Sequence, residues 1–193
     1  MQTHRLLAMT DGVIAIIITI MVLELKAPAD ASLAALTRLW PVFLAYALSF
    51  IYVGIYWNNH HHYFHLVSRV NGAVLWANFN LLFWISLVPF ATAWMGEHDF
   101  APVPTAIYGV SLLMPAIAWR VLQSVIIRAQ GPASPLALYV GRDMKGTVSP
   151  LLYAAGIALS FVAAWAALAC YGAVALLWLK PDSRIERMVA SDG

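Results

Sequence analysis

The feature that most constrains this chain is a single apolar run, Arg5 to Leu25, with one aspartate inside it. Its length suits a helix crossing a hydrocarbon layer of about 30 Å at ~1.5 Å per residue. Asp11 lies within that run. A carboxylate at the centre of a membrane helix costs about 2.5–3.5 kcal/mol on insertion scales, and less toward an end. A protein partner on another helix is the economical solution, and solvation among the headgroups is the alternative. On a helix at ~100° per residue, Ile16, Ile20 and Leu23 share a stripe with Met9, and Asp11, Ala15, Ile18 and Val22 line the opposite face. One helix is therefore expected to present a bulky uncharged stripe on one side and a carboxylate on the other. Thr19 either bonds back to the Ala15 carbonyl or faces an aqueous path.

The rest of the composition agrees with a membrane setting. Of 193 residues, 62% are hydrophobic and 10% charged, against about 25% charged in soluble domains. The fold class expected is an all-α integral membrane protein. A net charge of +2 without a lysine or arginine run gives no nucleic-acid surface. Cys170 is the single cysteine, so a disulfide within the chain and a cysteine-rich metal site are excluded. The first run ends in Glu24 and Lys26 and lacks a small-residue cleavage site, so it reads as a retained helix rather than a signal peptide.

Further apolar segments follow over about 33–57, 72–95 and 104–127, the last with Pro115 inside it as an expected kink. Residues 128–145 read as a loop. The final block, 146–179, is too long for one span of ~20 residues and short for two. Two tight helices, about 146–163 and 165–180, turning near Ala163–Trp165, are expected; one tilted helix is the alternative. With six spans and both termini cytoplasmic, Arg5, Arg69, Arg120, Arg128, Arg142, Lys145, Lys180, Arg184 and Arg187 lie inside and only Lys26 and Arg38 outside, as the positive-inside rule favours. The chain is then one membrane domain, 1–180, with a short charged cytoplasmic tail, 181–193.

The most enzyme-like feature is His60-His61-His62-Tyr63-Phe64-His65. Histidine-ligated membrane enzymes need several such clusters, and only His4 and His98 lie elsewhere. Interfacial histidines, with one or two bonded to Asp11, are the plainer reading. No phosphate loop, catalytic triad, paired carboxylates or Cys-x-x-Cys is present. No enzymatic step, cofactor or metal is expected.

Arg5, Met9-Thr10-Asp11-Gly12-Val13, Ala15, Ile18-Thr19 and Leu23-Glu24 together resemble the first-helix signature of the transmembrane protein 175 family of potassium channels. That signature is Arg, three residues, Phe-Ser-Asp, three residues, Ala; here Met9 replaces Phe and Thr10 replaces Ser. Tyr56-Trp57 with His60-His61, Leu75-Trp76 with Asn78, Leu87-Val88-Pro89-Phe90 and Trp178 to Arg184 extend the likeness. No internal duplication is visible, as in the single-repeat prokaryotic members. The resemblance implies a six-helix subunit in a homotetramer of the prokaryotic plasma membrane, with a pore lined by first helices. It implies a constriction at Ile16, Ile20 and Leu23, a hydroxyl layer at Thr19, and architectural roles for Arg5, Thr10, Asp11 and Ala15. His60, His61, Trp76 and Asn80 are expected to hold the first helix to the second and third, although Arg5 could equally snorkel to headgroups. In a tetramer Glu24 would ring the outer mouth. Without the match, the stripe would read as ordinary packing.

The function expected is a leak-type, potassium-permeable channel without a carbonyl filter, since no Thr-Val-Gly-Tyr-Gly occurs. The alternative is a small proton-coupled transporter using Asp11 and the His60–His65 cluster.

Overall fold

The computed structural model describes residues 3–67, 69–131, 134, 136–137 and 144–179, and every regular element among them is helical. In chain order these are α1 (Thr3–Leu23), α2 (Leu33–Arg38), α3 (Trp40–His65), α4 (Gly72–Ser86), α5 (Val88–Glu97), α6 (Pro102–Gln130), α7 (Met144–Leu159) and α8 (Ala164–Leu179). Four stretches are long and apolar enough to cross a membrane: α1, α3, α4 with α5, and α6. The final block folds as two helices of 16 residues each, each about 24 Å long. The charged tail, 181–193, and the cations Arg142, Lys180, Arg184 and Arg187 lie outside the described residues.

Several boundaries differ from the sequence reading, for local reasons. The second segment is two helices. Ser32 caps α2 by accepting from the Ala35 N–H, and Pro41 then occupies the first turn of α3, where its missing N–H costs nothing. α3 runs past Trp57 to His65 because nothing there breaks a helix. The third segment is interrupted at Leu87, which ends α4 and begins α5 two residues before Pro89. Proline removes one i to i−4 bond and disfavours helical backbone just before it. Pro115, by contrast, is accommodated inside a continuous α6.

Two apolar clusters carry the packing. One gathers Leu6, Ile14, Ile17 and Met21 of α1 with residues of α3, α4 and α6, including Val53, Leu81, Ile85 and Leu122. The other joins the first half of α3 to α5, α6, α7 and α8 around Tyr52, Tyr108, Tyr153 and Tyr171. Polar links tie it together: Ser49 Oγ lies 2.7 Å from Thr92 Oγ1 and 2.9 Å from the Tyr108 hydroxyl, and Tyr171 donates to the Thr105 carbonyl at 3.2 Å. At one end, Trp40 stacks on Trp165 with centroids 5.7 Å apart, and both rings meet Phe100. Asp99 and Phe100 both hold left-handed backbone there, a costly conformation for side-chain-bearing residues that the buried Phe100 ring fixes in place.

Small residues set how closely helices approach, as expected where lipid supplies no hydrophobic force between them. A Cβ on Gly96 would stand 2.9 Å from the Val42 Cα, so α5 touches the α3 backbone. Gly109 and Gly156 face the fully buried Tyr171 ring from two sides, and a Cβ at either would overlap it. Gly109→Ala is therefore expected to destabilise the fold by about 1–3 kcal/mol through overpacking, outweighing the ~1 kcal/mol gained in helix propensity. Gly172→Ala meets open space and is expected to be neutral or stabilising. Thermal unfolding in detergent compares the two; equal midpoints would show that the Tyr171 ring yields freely.

Candidate functional site

α1 has three faces, where periodicity suggested two. Leu6, Thr10, Ile14, Ile17 and Met21 are buried, packed toward α3, α4 and α5. The stripe lies about a third of a turn away, with Ile16 59% exposed, Ile20 43% and Leu23 77%. On the third face Asp11 and Ile18 are partly buried, while Ala15 and Val22 are exposed. Among the described residues the bulky stripe is therefore left largely uncovered. Beside it, an open groove of about 440 Å³ runs between Ile16, Ile20 and Glu24 of the α1 side and Pro89, Phe90 and Ala93 of α5.

Two sets of polar contacts fix how α1 is rotated. On the buried face, Asn78 Nδ2 donates to Thr10 Oγ1 at 2.9 Å, and His60 Nε2 lies 2.8 Å from Asn78 Oδ1. A carboxamide oxygen only accepts, so His60 carries its proton on Nε2. The His60 ring is held on Phe64, with centroids 4.2 Å apart, and beside Trp119. On the third face, Trp57 Nε1 donates to Asp11 Oδ1 at 3.0 Å. His61 stacks on that indole at 5.7 Å, so it reaches Asp11 only through Trp57.

These contacts correct the expected set of partners. The histidines do not bond Asp11; Trp57, one turn earlier on α3, does. Trp76 and Asn80 share a face of α4, as their spacing indicated, but it is the exposed one, with Trp76 77% exposed. Asn78 takes the expected place because it lies in the buried row with Val74, Leu81 and Leu82. Arg5 is exposed and makes no side-chain bond among the described residues. Thr19 Oγ1 donates to the Ile16 carbonyl at 2.8 Å, not to Ala15.

At the other end of α1, Glu24 is exposed, and Lys26 Nζ donates to Glu97 Oε1 at 2.8 Å. That hydrogen bond and the Glu97 charge hold the Lys26 ammonium above its ordinary pKa. Among the described residues, no three metal-ligating side chains converge. His60 is buried, His61 and His62 are partly buried, and His65 is exposed.

Asn78→Leu would strand the His60 N–H and remove the donor to Thr10 in a buried setting, at about 1–3 kcal/mol for an unsatisfied group. Asn80→Leu, on the exposed face, is expected to stay within about ±0.5 kcal/mol. Denaturation in detergent separates them, and equal losses would mean that the Asn78 link contributes nothing.

The geometry can be set beside known proteins. The family model described as endosomal/lysosomal potassium channel TMEM175 matches residues 5–89. A protein of Chryseobacterium sp. (strain P1-3) named as a potassium channel is 54% identical over 187 residues, covering 97% of each chain. One of Streptomyces collinus (strain DSM 40733 / Tue 365), also named as a potassium channel, is 32% identical, covering 92% of this chain and 91% of its own. The crystal structure of a lysosomal potassium-selective channel TMEM175 homolog from Chamaesiphon minutus superposes with a TM-score of 0.79 at 31% identity, over 92% of this chain and 96% of that one. The region matched by the family model contains α1 from Arg5 onward, and the relatives are channels, not enzymes. With more than half of its residues shared with one relative along nearly its whole length, the chain belongs to the TMEM175 family of potassium channels.

Proposed function

We propose that this chain is the subunit of a leak-type potassium channel, a homotetramer in a prokaryotic plasma membrane whose pore is lined by α1. The observation that carries the reading is the exposure of Ile16, Ile20 and Leu23 as one bulky stripe on a helix whose rotation is set by the contacts of Thr10 and Asp11. Four such stripes around an axis give stacked apolar rings, which close a path by excluding water. The potassium channels named among its relatives supply the ion.

Thr19 fits a hydroxyl layer in that pore. Its proton is engaged by the Ile16 carbonyl, so the oxygen offers lone pairs outward, the orientation a cation needs. The sequence has no carbonyl-filter motif, so selectivity by such a layer would be moderate. Glu24 would gather cations at the outer mouth, with Lys26 and Glu97 neutralising one another beside it. Six crossings, counting α7 and α8, are supported by contacts at the ends. Trp178, near the end of α8, donates to Ser149 in α7 at 2.8 Å, and Trp165 at its start stacks on Trp40. These contacts support a pair that runs back and forth across the bundle, with the start of α1 and the end of α8 on one side, which we assign as cytoplasmic from the charge bias. The transporter alternative loses support because Asp11 is bonded to an indole that cannot relay protons, not to a histidine.

The test is potassium flux through liposomes holding the purified chain, with sodium in parallel. Potassium flux should exceed sodium flux without saturating, and Ile16→Ala or Leu23→Ala should raise it severalfold by shrinking four rings at once. Unchanged flux in both variants would remove α1 from the pore, and saturable, proton-driven flux would favour the transporter. Asp11→Ala is expected to lower the yield of tetramers on native gels, because its partner is within the subunit and not in the pore. Intact tetramers with altered ion preference would contradict that assignment.

A further inference from the structure

His61 and His65 stand one turn apart near the end of α3, with their Nε2 atoms 3.1 Å apart. His61 is partly buried and His65 exposed, so both rings can be reached from the aqueous side. We propose that this pair chelates a transition-metal dication of the zinc, nickel and copper class, and that its occupancy acts on α1 through Trp57.

The distance is the first argument. Imidazole binds such ions at about 2.0–2.1 Å, so two rings on one ion, at angles between octahedral and tetrahedral, have nitrogens about 2.9–3.4 Å apart. The observed separation falls in that interval without rearrangement of the helix. The i, i+4 spacing lets α3 present both rings from one face, so little order is lost on binding. The ion takes the place of the proton between the two nitrogens, which passes through solvent to Nδ1 of the ring that carried it, so both rings stay neutral, each offers an Nε2 lone pair, and waters complete the coordination. No third protein ligand is required, in keeping with the absence of a three-ligand group among the described residues. Imidazole nitrogens favour zinc, nickel and copper over magnesium or calcium.

The second argument is position. Trp57, His61 and His65 follow one another at four-residue steps along one row of α3. The His61 ring lies on the Trp57 indole at an interplanar angle of 24°, and the indole N–H is the donor to Asp11. Fixing His61 by a metal bond fixes the indole beneath it, and with it the carboxylate contact that orients α1. This second half rests on α1 lining the pore; the first half does not.

The experiment is calorimetric titration of the full chain, purified without a polyhistidine tag, with zinc chloride in detergent. One ion per chain is expected. His61→Ala and His65→Ala should each weaken binding by at least about tenfold, the loss that even an outer-sphere partner causes, while His62→Ala should leave it within about twofold. Absence of binding, or a His65→Ala chain that binds as well as the original, would overturn the site. In liposomes, zinc on the side bearing the end of α3 should change potassium flux at least twofold, and His65→Ala should abolish the response. Zinc that binds without altering a measurable flux would overturn the coupling. A chain that binds zinc but conducts no potassium at all would refute the channel reading and uphold the site.

Discussion

Lipid tails are as apolar as leucine, so nothing hydrophobic tells a membrane helix which of its faces to turn inward. In this subunit that decision falls on α1's hydroxyl and carboxylate. Thr10, linked through Asn78 to His60, and Asp11, held by Trp57, sit at adjacent positions and point about 100° apart. Two bonds in different directions from neighbouring residues leave one rotation of the helix that satisfies both. The bare stripe of Ile16, Ile20 and Leu23 is the remainder of that solution. Each bond is modest, near 1 kcal/mol net, but the alternative is an unpaired polar group at membrane depth, and that cost fixes the choice.

What could be read from the residues follows the same line. The all-helical class, the stripe on α1 and the family came from apolar runs and from the spacing around Asp11. The division of the segment over 33–57 into α2 and α3 was not legible, because its apolar run is continuous and only the Ser32 cap and Pro41 in the first turn of α3 mark the two starts. The buried row of α1, Leu6-Thr10-Ile14-Ile17-Met21, was not legible as a face of its own, because it differs from the equally apolar stripe beside it by one hydroxyl only. Asn80 was preferred to Asn78 for its spacing from Trp76. Facing is set by the rows of small and branched residues next to each asparagine, and Val74 and Leu81 put Asn78 inside. Trp57 enters the sequence reading only through the family likeness, and its role as a donor to Asp11 shows in the fold alone; the indole N–H is the polar handle that a membrane-interface tryptophan carries.

The second core has a different character. It is built on tyrosines whose hydroxyls bond other hydroxyls or backbone carbonyls, and on glycines that admit the Tyr171 ring. It joins α5, α6, α7 and α8 to the first half of α3 and does not include α1. The subunit thus divides its labour. One cluster is a close-packed scaffold, and the other seats a helix whose remaining surface is left free.

The placement of the two polar ties has a mechanical result. They grip α1 at residues 10 and 11, whereas beyond them Ile14, Ile17 and Met21 rest in non-directional apolar contact, and an exposed ion pair between Lys26 and Glu97, of a kind worth at most about 1 kcal/mol, steadies the far end. Such a helix is a rod clamped near one end. Ile16 stands about 7.5 Å beyond the clamp and Leu23 about 18 Å at 1.5 Å per residue. Any tilt about the grip sweeps Leu23 more than twice as far as Ile16, so the rings along one stripe cannot widen together.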